Sequence, residues 1–434
     1  MSSKEGPPRF VQLAQMISSS ATQLQEILIA HNAPFPSFDK DGDFQLPKEA
    51  SNLQDMLIDA AAELHDLLLD SISLLHIHGA YTNMICFQAI ARFGIASMIP
   101  ENGQASYEDI AQQTCLTEPV LRRILQVAMT MRIFYEPQPG MVAHTKASRL
   151  LSDPHMNDWL GSQTEEAWPS ALNTINALEK WPKSQEPNES GFSLANRTNA
   201  SIYNVLTSDS IRAQRFANFM KISASSYDYD AVHVIDNYDW GSLGTATVVD
   251  VGGSQGHIGI QLAKKFSDLR IVVQDVESVV DGAYGKVPED LKGRVRFEAH
   301  DFFQPQVIVA DVFFLRLILH NWTDKSTLTL AWGPMGSLGP VGFGLWVQMA
   351  NPRARVIIMD ACMKERGILP LWREKIVRKV DMMMGAFLNA RERTYGEWKS
   401  LLADADPRFV LTEVIEPQDS SLALIDVRWN DHEV

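Results

Sequence analysis

The sequence predicts an α/β protein in which a doubly wound, mostly parallel, Rossmann-like sheet follows a helical N-terminal half containing a winged helix. First, residues 247–275 run through an apolar strand, a glycine turn, an amphipathic helix and a second apolar strand ending in Asp275. This order is typical of a nucleotide-cofactor site. Second, strand-length apolar runs alternate with helical stretches from residue 240 onward. Third, nearly everything before Val248 has helical periodicity, so 248–251 should be the first strand of its sheet.

Length, charge and cysteine content limit the class of protein. The chain has 434 residues and a formal net charge of −15. The length predicts two or three domains, and the charge argues against nucleic acid or an anionic membrane as partner. Three scattered cysteines give neither a disulfide framework nor a zinc site, so we expect no bound metal. The start has no apolar signal segment and no run could span a bilayer, which predicts a soluble, cytoplasmic protein.

These patterns divide the chain into four parts. Residues 1–80 are helical arms, 81–150 a winged-helix-like domain, 151–239 a helical connector and 240–434 the cofactor-binding domain. Within the last part, residues 330–350 form an atypical Gly/Pro-rich insert.

The arms are two amphipathic helices. One covers residues 10–30, and a longer one carries apolar side chains from Leu53 to Leu75. The stretch 31–47, with three prolines, reads as the loop between them. Neither helix has an evident core of its own, so we expect both to pack on another domain or a second subunit.

The second part has the element order of a winged helix. A helix around 85–93 precedes one capped by Ser106 and one capped by Thr117, and the runs 133–135 and 141–143 suggest a hairpin. DNA binding is one interpretation of this module. We favour a structural or dimerising role, because the third helix offers only a weakly basic face. That face consists of Glu118, Arg122, Arg123 and Gln126.

The connector is helical from about 156 to 236. Its residues Phe216, Phe219 and Met220 are explained by core packing, although the segment leads into the cofactor domain and some could line a substrate cavity. We take Phe216 and Met220 as candidate substrate contacts, together with Met384 and Asn389.

Polar residues follow the successive strands of the C-terminal half. The runs 295–297, 312–314 and 356–358 are followed by Asp301, His320 and Asp360, respectively. In open parallel sheets the carboxyl ends of the strands form the ligand-binding edge. The runs 409–414 and 422–427 predict a closing antiparallel hairpin.

The glycine turn allows three kinds of site. Residues 252–256 also match G-x-S-x-G, the motif around the nucleophilic serine of serine hydrolases. A catalytic triad in the chain order Ser254, then Asp275 or Asp301, then His320 therefore stays open. However, the hydrolase fold needs strands before this motif. A nicotinamide site would show G-x-G-x-x-G. Here Asp250 precedes the first glycine, where it would repel a pyrophosphate but can receive an ammonium group. This favours S-adenosylmethionine over NAD. A serine at 254 is tolerable only with a negative φ.

Three motifs then carry a family resemblance. They are the run 310–324 (ADVFFLRLILHNWTD), the upstream VVDVGG at 248–253 and the downstream RERT at 391–394. Together they resemble the small-molecule O-methyltransferases of plants and fungi, of the caffeic-acid and flavonoid type, over residues 81–427. The resemblance implies a class I methyltransferase fold, S-adenosylmethionine as cofactor, a homodimer formed through the winged-helix domain, and a small hydroxylated secondary metabolite as acceptor.

The resemblance also implies roles for individual residues. Asp275 would bind the ribose, Asp301 and Phe302 would hold the adenine, and Asp250, Gly252, Gly253 and Arg316 would lie beside the cofactor. His320 would be the catalytic base, and Asp360 and Glu392 would flank and orient it.

The implied chemistry suits these residue types. A phenol has a pKa of about 10, so a base is needed near neutral pH, and an imidazole with a pKa of about 6.5 can take the proton. The sulfonium methyl is already electrophilic, so no metal is needed, and placement of the reactants supplies much of the acceleration.

The insert is the main departure from the family. Glycine and proline at the density of 333–344 cannot sustain a helix, so we expect an irregular loop there. It would expose Trp332, Phe343, Leu345 and Trp346. If it disturbs the sheet, the protein could bind the cofactor without turnover, which is the main alternative function.

Overall fold

A computed structural model describes residues 6–38, 46–224, 227–332 and 354–430. The chain forms two compact units. Unit 1 comprises Met1–Trp168, Asp209–Ile222 and Arg366–Lys379, and unit 2 comprises Pro169–Ser208, Ser223–Glu365 and Val380–Val434.

The helices, in chain order, are α1 (Arg9–Ala30), α2 (Ser51–Leu67), α3 (Ser71–His78), α4 (Tyr81–Phe93), α5 (Tyr107–Gln112), α6 (Glu118–Thr130), α7 (Lys146–Leu150), α8 (Pro154–Ser162), α9 (Trp168–Lys180), α10 (Gly191–Ala195), α11 (Ile202–Thr207), α12 (Ser210–Ala224), α13 (Val232–Asn237), α14 (His257–Lys265), α15 (Glu277–Val280), α16 (Asp324–Trp332), α17 (Leu371–Leu388) and α18 (Tyr395–Ala405). The strands are β1 (Gln104–Ser106), β2 (Met141–Ala143), β3 (Ala246–Val251), β4 (Leu269–Asp275), β5 (Val295–Ala299), β6 (Val312–Arg316), β7 (Arg355–Asp360), β8 (Cys362–Met363), β9 (Arg393–Thr394), β10 (Phe409–Ile415) and β11 (Ala423–Trp429).

Unit 2 is built around a seven-stranded sheet in the order β10-β11-β7-β6-β3-β4-β5. The strands β3 to β7 pair in parallel, and β10 and β11 are antiparallel. This confirms the predicted doubly wound, mostly parallel sheet with its closing hairpin, and β3 is its first strand. From β3 the chain proceeds outward to β4 and β5 on one side and to β6 and β7 on the other. Ligands of such sheets bind at this switch of direction.

Both faces of the sheet are buried, which explains why its central strands are almost continuously apolar. Val248 and Phe314 belong to one apolar layer, whereas Val249 and Phe313 belong to the other. The sheet is therefore a rigid platform whose polar side chains appear only where the strands end.

Unit 1 contains the winged-helix region, but its strands pair differently from the prediction. The run Met141–Ala143 pairs with Gln104–Ser106, and Tyr135 meets Ala143 only in an isolated bridge. Phe134 adopts a φ of 66°, which turns the backbone out of the extended conformation that a hairpin strand requires.

One of the two predicted helix caps in this region differs. Ser106 accepts a hydrogen bond from the Asp109 N–H at 3.0 Å, as expected. Thr117 occupies the cap position of α6, but among the described residues its side chain makes no capping bond. Pro119 in the first turn preorganises the start of α6 instead.

In the described part of residues 1–80, the N-terminal arms form three α-helices rather than two. The predicted long helix breaks at Asp70, whose Oδ1 accepts hydrogen bonds from the N–H groups of Ile72 and Ser73 and so begins α3. The helices α1 and α2 pack against each other. Asp59 on α2 also accepts the N–H of Leu371 at the start of α17. The arms therefore have packing partners within unit 1.

The predicted insert lies outside the described residues apart from its first positions, which belong to α16. Among the described helices none is both long and apolar enough to cross a membrane. The same residues contain no cluster of three or more histidine, cysteine or acidic side chains that could hold a metal ion.

Candidate active site

The glycine turn after β3 is closed by the end of β4. The N–H groups of Gly252 and Gly253 donate to the carbonyl of Gln274 at 2.8 and 3.1 Å. Gly252 has a φ of 69°, and a Cβ there would lie 2.5 Å from Ile318 Cδ1. Only glycine satisfies both conditions, and the close approach brings the turn beside the loop that leads to His320.

Ser254 contradicts the expected negative φ. Its φ is 52°, in the left-handed region that is costly for residues other than glycine. The Ser254 N–H donates to Asp275 Oδ2 at 2.9 Å, and this bond to a carboxylate compensates part of the cost. The turn is thus fixed by the acid that ends β4.

Asp250 lies under the glycine turn and is 3% exposed. Burial raises its pKa to about 7, against the opposing effect of the Arg316 charge. Its Oδ2 has no hydrogen-bond partner among the described residues. A buried acceptor without a donor is costly, so this atom suits a cationic group of a ligand.

Asp275 presents its carboxylate at the same edge. Oδ2 receives the Ser254 N–H and Oδ1 receives the Val276 N–H at 2.8 Å. Each oxygen keeps capacity for a further bond, as two ribose hydroxyls would require. Burial raises the pKa of this carboxyl, and the two N–H donors oppose that rise.

Several aromatic side chains lie beside the glycine turn. The Phe302 ring lies 3.9 Å from the position that a Gly252 Cβ would take, and its centroid is 6.0 Å from that of Trp322. Trp322 also meets Phe303 edge-on and stacks with Tyr203. Asp301 accepts the Phe303 N–H at 2.9 Å, which holds this segment in place. No sequence pattern indicated a role for Trp322, although it follows His320 by two positions in the motif at 310–324.

His320 sits in a short turn, Leu319–Asn321, after β6. It is 8% exposed, and its Nδ1 lies 2.8 Å from Glu392 Oε1. Asp360 Oδ2 accepts the N–H groups of Leu319 and His320 at 3.1 and 3.2 Å. The two acids predicted to flank the histidine thus differ: Glu392 holds the ring, whereas Asp360 holds its backbone.

The charges around His320 favour its protonated form. Burial is the largest single influence and lowers the pKa, but the Glu392 hydrogen bond and the Asp360 charge together raise it above the ordinary value. Burial also raises the pKa of Asp360 to about 6. Further buried polar atoms of the site lack a hydrogen-bond partner in the described part of the chain, namely Asp360 Oδ1, Glu392 Oε2 and Arg316 Nε.

Arg316 ends β6, next to the switch point. Its Nη2 donates to the carbonyl of Tyr229. Burial lowers the pKa of its guanidinium, and the charges of Asp250 and Asp360 oppose this effect. Arg316 therefore interacts electrostatically with both Asp250, which lies under the glycine turn, and Asp360, which holds the backbone of His320.

The four candidate substrate contacts have different settings. Met384 is buried on α17, and Asn389 follows that helix with a φ of 55°. The Asn389 Nδ2 donates to the carbonyls of Ser184 and Glu186 at 2.9 and 3.3 Å, so it anchors that loop. Direct substrate contact by Met384 and Asn389 stays a prediction. Phe216 and Met220 lie on α12 in unit 1, and their assignment also stays a prediction.

The geometry contradicts the serine-hydrolase interpretation. A triad would place Asp275 or Asp301 on the imidazole. Instead, Glu392 occupies His320 Nδ1, Asp275 receives backbone N–H groups at the glycine turn, and Asp301 receives that of Phe303.

A Gly253→Ala variant tests how tightly the turn is packed. A Cβ at this position would lie 2.5 Å from Cγ of the buried Asp250 side chain, so one of the two must shift. We expect a loss of about 1–3 kcal/mol in unfolding free energy by thermal melting, since overpacking displaces the backbone. We also expect S-adenosylhomocysteine to bind roughly ten-fold or more weakly by calorimetry, because the turn must shift.

The matched control is Gly396→Ala near the start of α18, where a Cβ would meet no described atom within 4 Å. That change should be neutral or slightly stabilising. Equal effects of the two substitutions would show that the turn tolerates a side chain.

The chain is similar in sequence to known O-methyltransferases. A sequence model described as an O-methyltransferase domain matches residues 195–406, and one described as an O-methyltransferase dimerisation domain matches residues 74–153. The chain is similar to the O-methyltransferase PaMT of Phomopsis amygdali, with 36% identity over 432 residues that cover 98% of both chains. It is 32% identical to a chlorophenol O-methyltransferase of Trichoderma longibrachiatum, over 98% of this chain and 91% of the relative.

Solved structures show the same fold. The chain matches OxaC with a TM-score of 0.76 at 18% identity, over 98% of this chain and 100% of OxaC. It matches the mitomycin 7-O-methyltransferase MmcR with a TM-score of 0.66 at 20% identity, over 86% of this chain and 99% of MmcR. The fold is therefore shared along nearly the whole length of these proteins.

Proposed function

The chain belongs to the S-adenosylmethionine-dependent O-methyltransferase family of fungal secondary metabolism, and from this premise we propose that it methylates a phenolic hydroxyl, with His320 as general base. The observation that carries the proposal is the 2.8 Å contact between His320 Nδ1 and Glu392 Oε1. A carboxylate there fixes the ring so that Nε2 is the nitrogen left to accept a proton.

The residues at the carboxyl edge of the sheet fit the cofactor. Gly252 keeps the backbone of the turn free of a side chain beside Ile318 and Phe302, and the orphaned Asp250 Oδ2 can receive the ammonium group. We propose that Asp275 binds the ribose hydroxyls and that Asp301 and Phe302 hold the adenine, with Gly253 and Arg316 beside the cofactor. When bound, S-adenosylmethionine supplies an electrophilic methyl group.

The proposed base, His320, acts on the hydroxyl group of the acceptor. A phenol with a pKa of about 10 is mostly un-ionised near neutral pH, so its oxygen is a weak nucleophile. We propose that His320 Nε2 takes the hydroxyl proton, which would make the acceptor oxygen a strong nucleophile toward the methyl group that a bound cofactor would supply. The imidazolium that results is stabilised by Glu392 on Nδ1, and Asp360 keeps the turn in place through its two backbone hydrogen bonds.

The acceptor class and the assembly follow from the relatives. One relative is named a chlorophenol O-methyltransferase, which supports a phenol as acceptor. The matched dimerisation domain at 74–153 supports a homodimer, with an expected mass of about twice 48.6 kDa in light scattering.

Methyl transfer from labelled S-adenosylmethionine to a panel of acceptors tests the proposal. The panel should contain phenol, a chlorinated phenol, an aliphatic alcohol and an aromatic carboxylic acid. We expect methyl ethers of the phenols and little product from the others. Binding of S-adenosylhomocysteine without transfer to any phenol would favour the alternative of cofactor binding without turnover. Preference for the alcohol or the acid would contradict the phenolic acceptor.

The pH dependence of the reaction tests the charges around His320. The base works only when neutral, so kcat/KM should rise with pH through a pKa that lies above the ordinary histidine value. A Glu392→Gln variant removes an acid that raises this pKa, so the rise should move to lower pH. The plateau should fall roughly 10- to 100-fold, because the ring loses its charged partner. Profiles of kcat/KM over about pH 5.5–9 measure the position of the rise and the height of the plateau.

A Glu413→Gln variant on β10, with an exposed side chain, is the control. It should leave both the position of the rise and the plateau unchanged. A rise that stays in place or moves to higher pH in Glu392→Gln would contradict the proposed pairing.

A further inference from the structure

We propose that Arg393 is a positioning residue that holds the backbone of the Leu319–Asn321 turn and so keeps His320 aligned with Glu392. The proposal rests on the proposed role of His320 as base. It adds a residue that the family resemblance did not single out, although Arg393 lies directly after Glu392 in the RERT motif.

The guanidinium of Arg393 spans the turn. Its side chain is 0% exposed. Nη1 donates to the carbonyl of Leu319 at 3.0 Å, and Nη2 donates to the carbonyl of Trp322 at 2.8 Å. These two carbonyls lie on either side of His320 in the chain. The backbone that carries the imidazole is therefore held at both ends by one rigid group.

The third arm of the guanidinium is anchored on an acid. Nε donates to Asp324 Oδ1 at 2.9 Å, at the first residue of α16. The guanidinium Cζ also lies over the Trp398 ring, at 5.1 Å from its centroid. Both contacts limit rotation of the side chain, so the two bonds to the turn keep fixed directions.

Asp360 completes the arrangement from the other side. It accepts the N–H groups of Leu319 and His320, while Arg393 donates to the carbonyl groups. The segments that carry the two charged residues are joined as well, because Cys362 on β8 pairs with Arg393 on β9. Asp360 thus holds the turn from the end of β7, two residues before Cys362, and Arg393 holds it from β9, the strand that pairs with β8.

Arg391 provides a contrast two positions earlier. Its Nη2 donates to the other oxygen of Asp324 at 2.7 Å, and its Nη1 donates to Glu397. Its side chain is 45% exposed, and both of these partners are carboxylates rather than carbonyls of the turn. Arg391 and Arg393 therefore share an anchor, but only Arg393 contacts the backbone around His320.

The test compares Arg393→Lys, Arg393→Met and Arg391→Met in the full chain. Lysine keeps the charge but cannot reproduce the fork, because its ammonium is a single point of donation. We expect both Arg393 variants to lower kcat for the best phenol of the panel by roughly 30- to 100-fold, since displacement by about an ångström costs this much. In both Arg393 variants KM for S-adenosylmethionine should change less than about two-fold. In Arg391→Met, kcat and KM should each stay within about two-fold of the parent values.

A second readout needs no acceptor. Nitrogen-15 NMR of the imidazoles, with S-adenosylhomocysteine bound and the His320 signals assigned by their loss in His320→Gln, reports which ring nitrogen carries the proton. At a pH well above the raised pKa of His320, where the imidazole is neutral, the parent and Arg391→Met should show a single Nδ1-protonated form, whereas the Arg393 variants should show mixed forms. This measurement decides the proposal even if the parent methylates none of the phenols.

Two outcomes would overturn the proposal. One is recovery of kcat and of the single Nδ1-protonated form in Arg393→Lys, which would show that charge alone matters. The other is an unchanged ring spectrum in both variants. Should they fail to fold, Asp324→Asn removes only the charge of the anchor. It should then give a smaller shift toward mixed forms, and an unchanged spectrum would equally contradict the proposal.

Discussion

A His320→Gln variant is expected to lower kcat for methylation of unsubstituted phenol by about 10²- to 10⁴-fold, the usual contribution of a general base. Glutamine can still bond to Glu392, so the turn should persist, but no group remains to take the proton. Affinity for S-adenosylhomocysteine should change less than about two-fold, since His320 is not among the cofactor residues that we propose. Initial rates at saturating acceptor and calorimetry measure the two quantities.

The loss of activity in His320→Gln should depend on the acidity of the acceptor. A phenol with several electron-withdrawing substituents is already ionised near neutral pH and needs no base. The loss in His320→Gln should therefore shrink as the acceptor becomes more acidic. An equal loss for acidic and ordinary phenols would show that His320 acts by binding or packing. The exposed His155 provides the control, since His155→Gln should leave every rate unchanged.

An Asp275→Asn variant is expected to weaken binding of S-adenosylhomocysteine by about 10- to 100-fold. Its two oxygens receive the Ser254 and Val276 N–H groups and would each accept a ribose hydroxyl. Bonds to a charged acceptor contribute about 1.5–3 kcal/mol each, and an amide lowers that contribution and turns one acceptor into a donor. Calorimetry with S-adenosylhomocysteine measures the change without any acceptor.

The control lies at the other end of the same strand. Asp268 is exposed and directly precedes β4, whereas Asp275 ends it. Asp268→Asn should leave the affinity within about two-fold, because ligands bind at the carboxyl edge of the sheet. If Asp275→Asn and the parent bind adenosine-containing ligands with similar affinity, Asp275 does not contact the cofactor.

Prediction of the fold succeeded where the information was local. The runs at 248–251, 312–314 and 356–358 are strands of one sheet, because β-branched and aromatic residues of strand length suit a sheet buried on both faces. The runs 409–414 and 422–427 likewise predict the closing hairpin that the structure contains. The dependence on local pattern explains why element type was easier to predict than pairing.

Prediction failed where a hydrogen bond or a backbone conformation outside the apolar pattern decides the structure. The run at 141–143 pairs with 104–106 instead of with its neighbour in sequence, since Phe134 has a left-handed φ. Ser254 also takes a positive φ, and it bonds to an acid 21 residues away. A helix pattern continues through Asp70 in the sequence, yet the side chain caps a new helix there. Each outcome depends on a hydrogen bond or packing contact that apolar periodicity does not record.

By itself, the sequence determined the sheet, the family resemblance and the residues that gather at the carboxyl ends of the strands, because these follow from local pattern and chain order. Only the tertiary structure decided which acid meets which part of the histidine. Glu392, 72 positions after His320, reaches the ring, whereas Asp360, 40 positions after it, reaches the backbone. The physical reason is that a hydrogen bond requires contact within about 3 Å, and contact between distant residues depends on how the strands and loops pack.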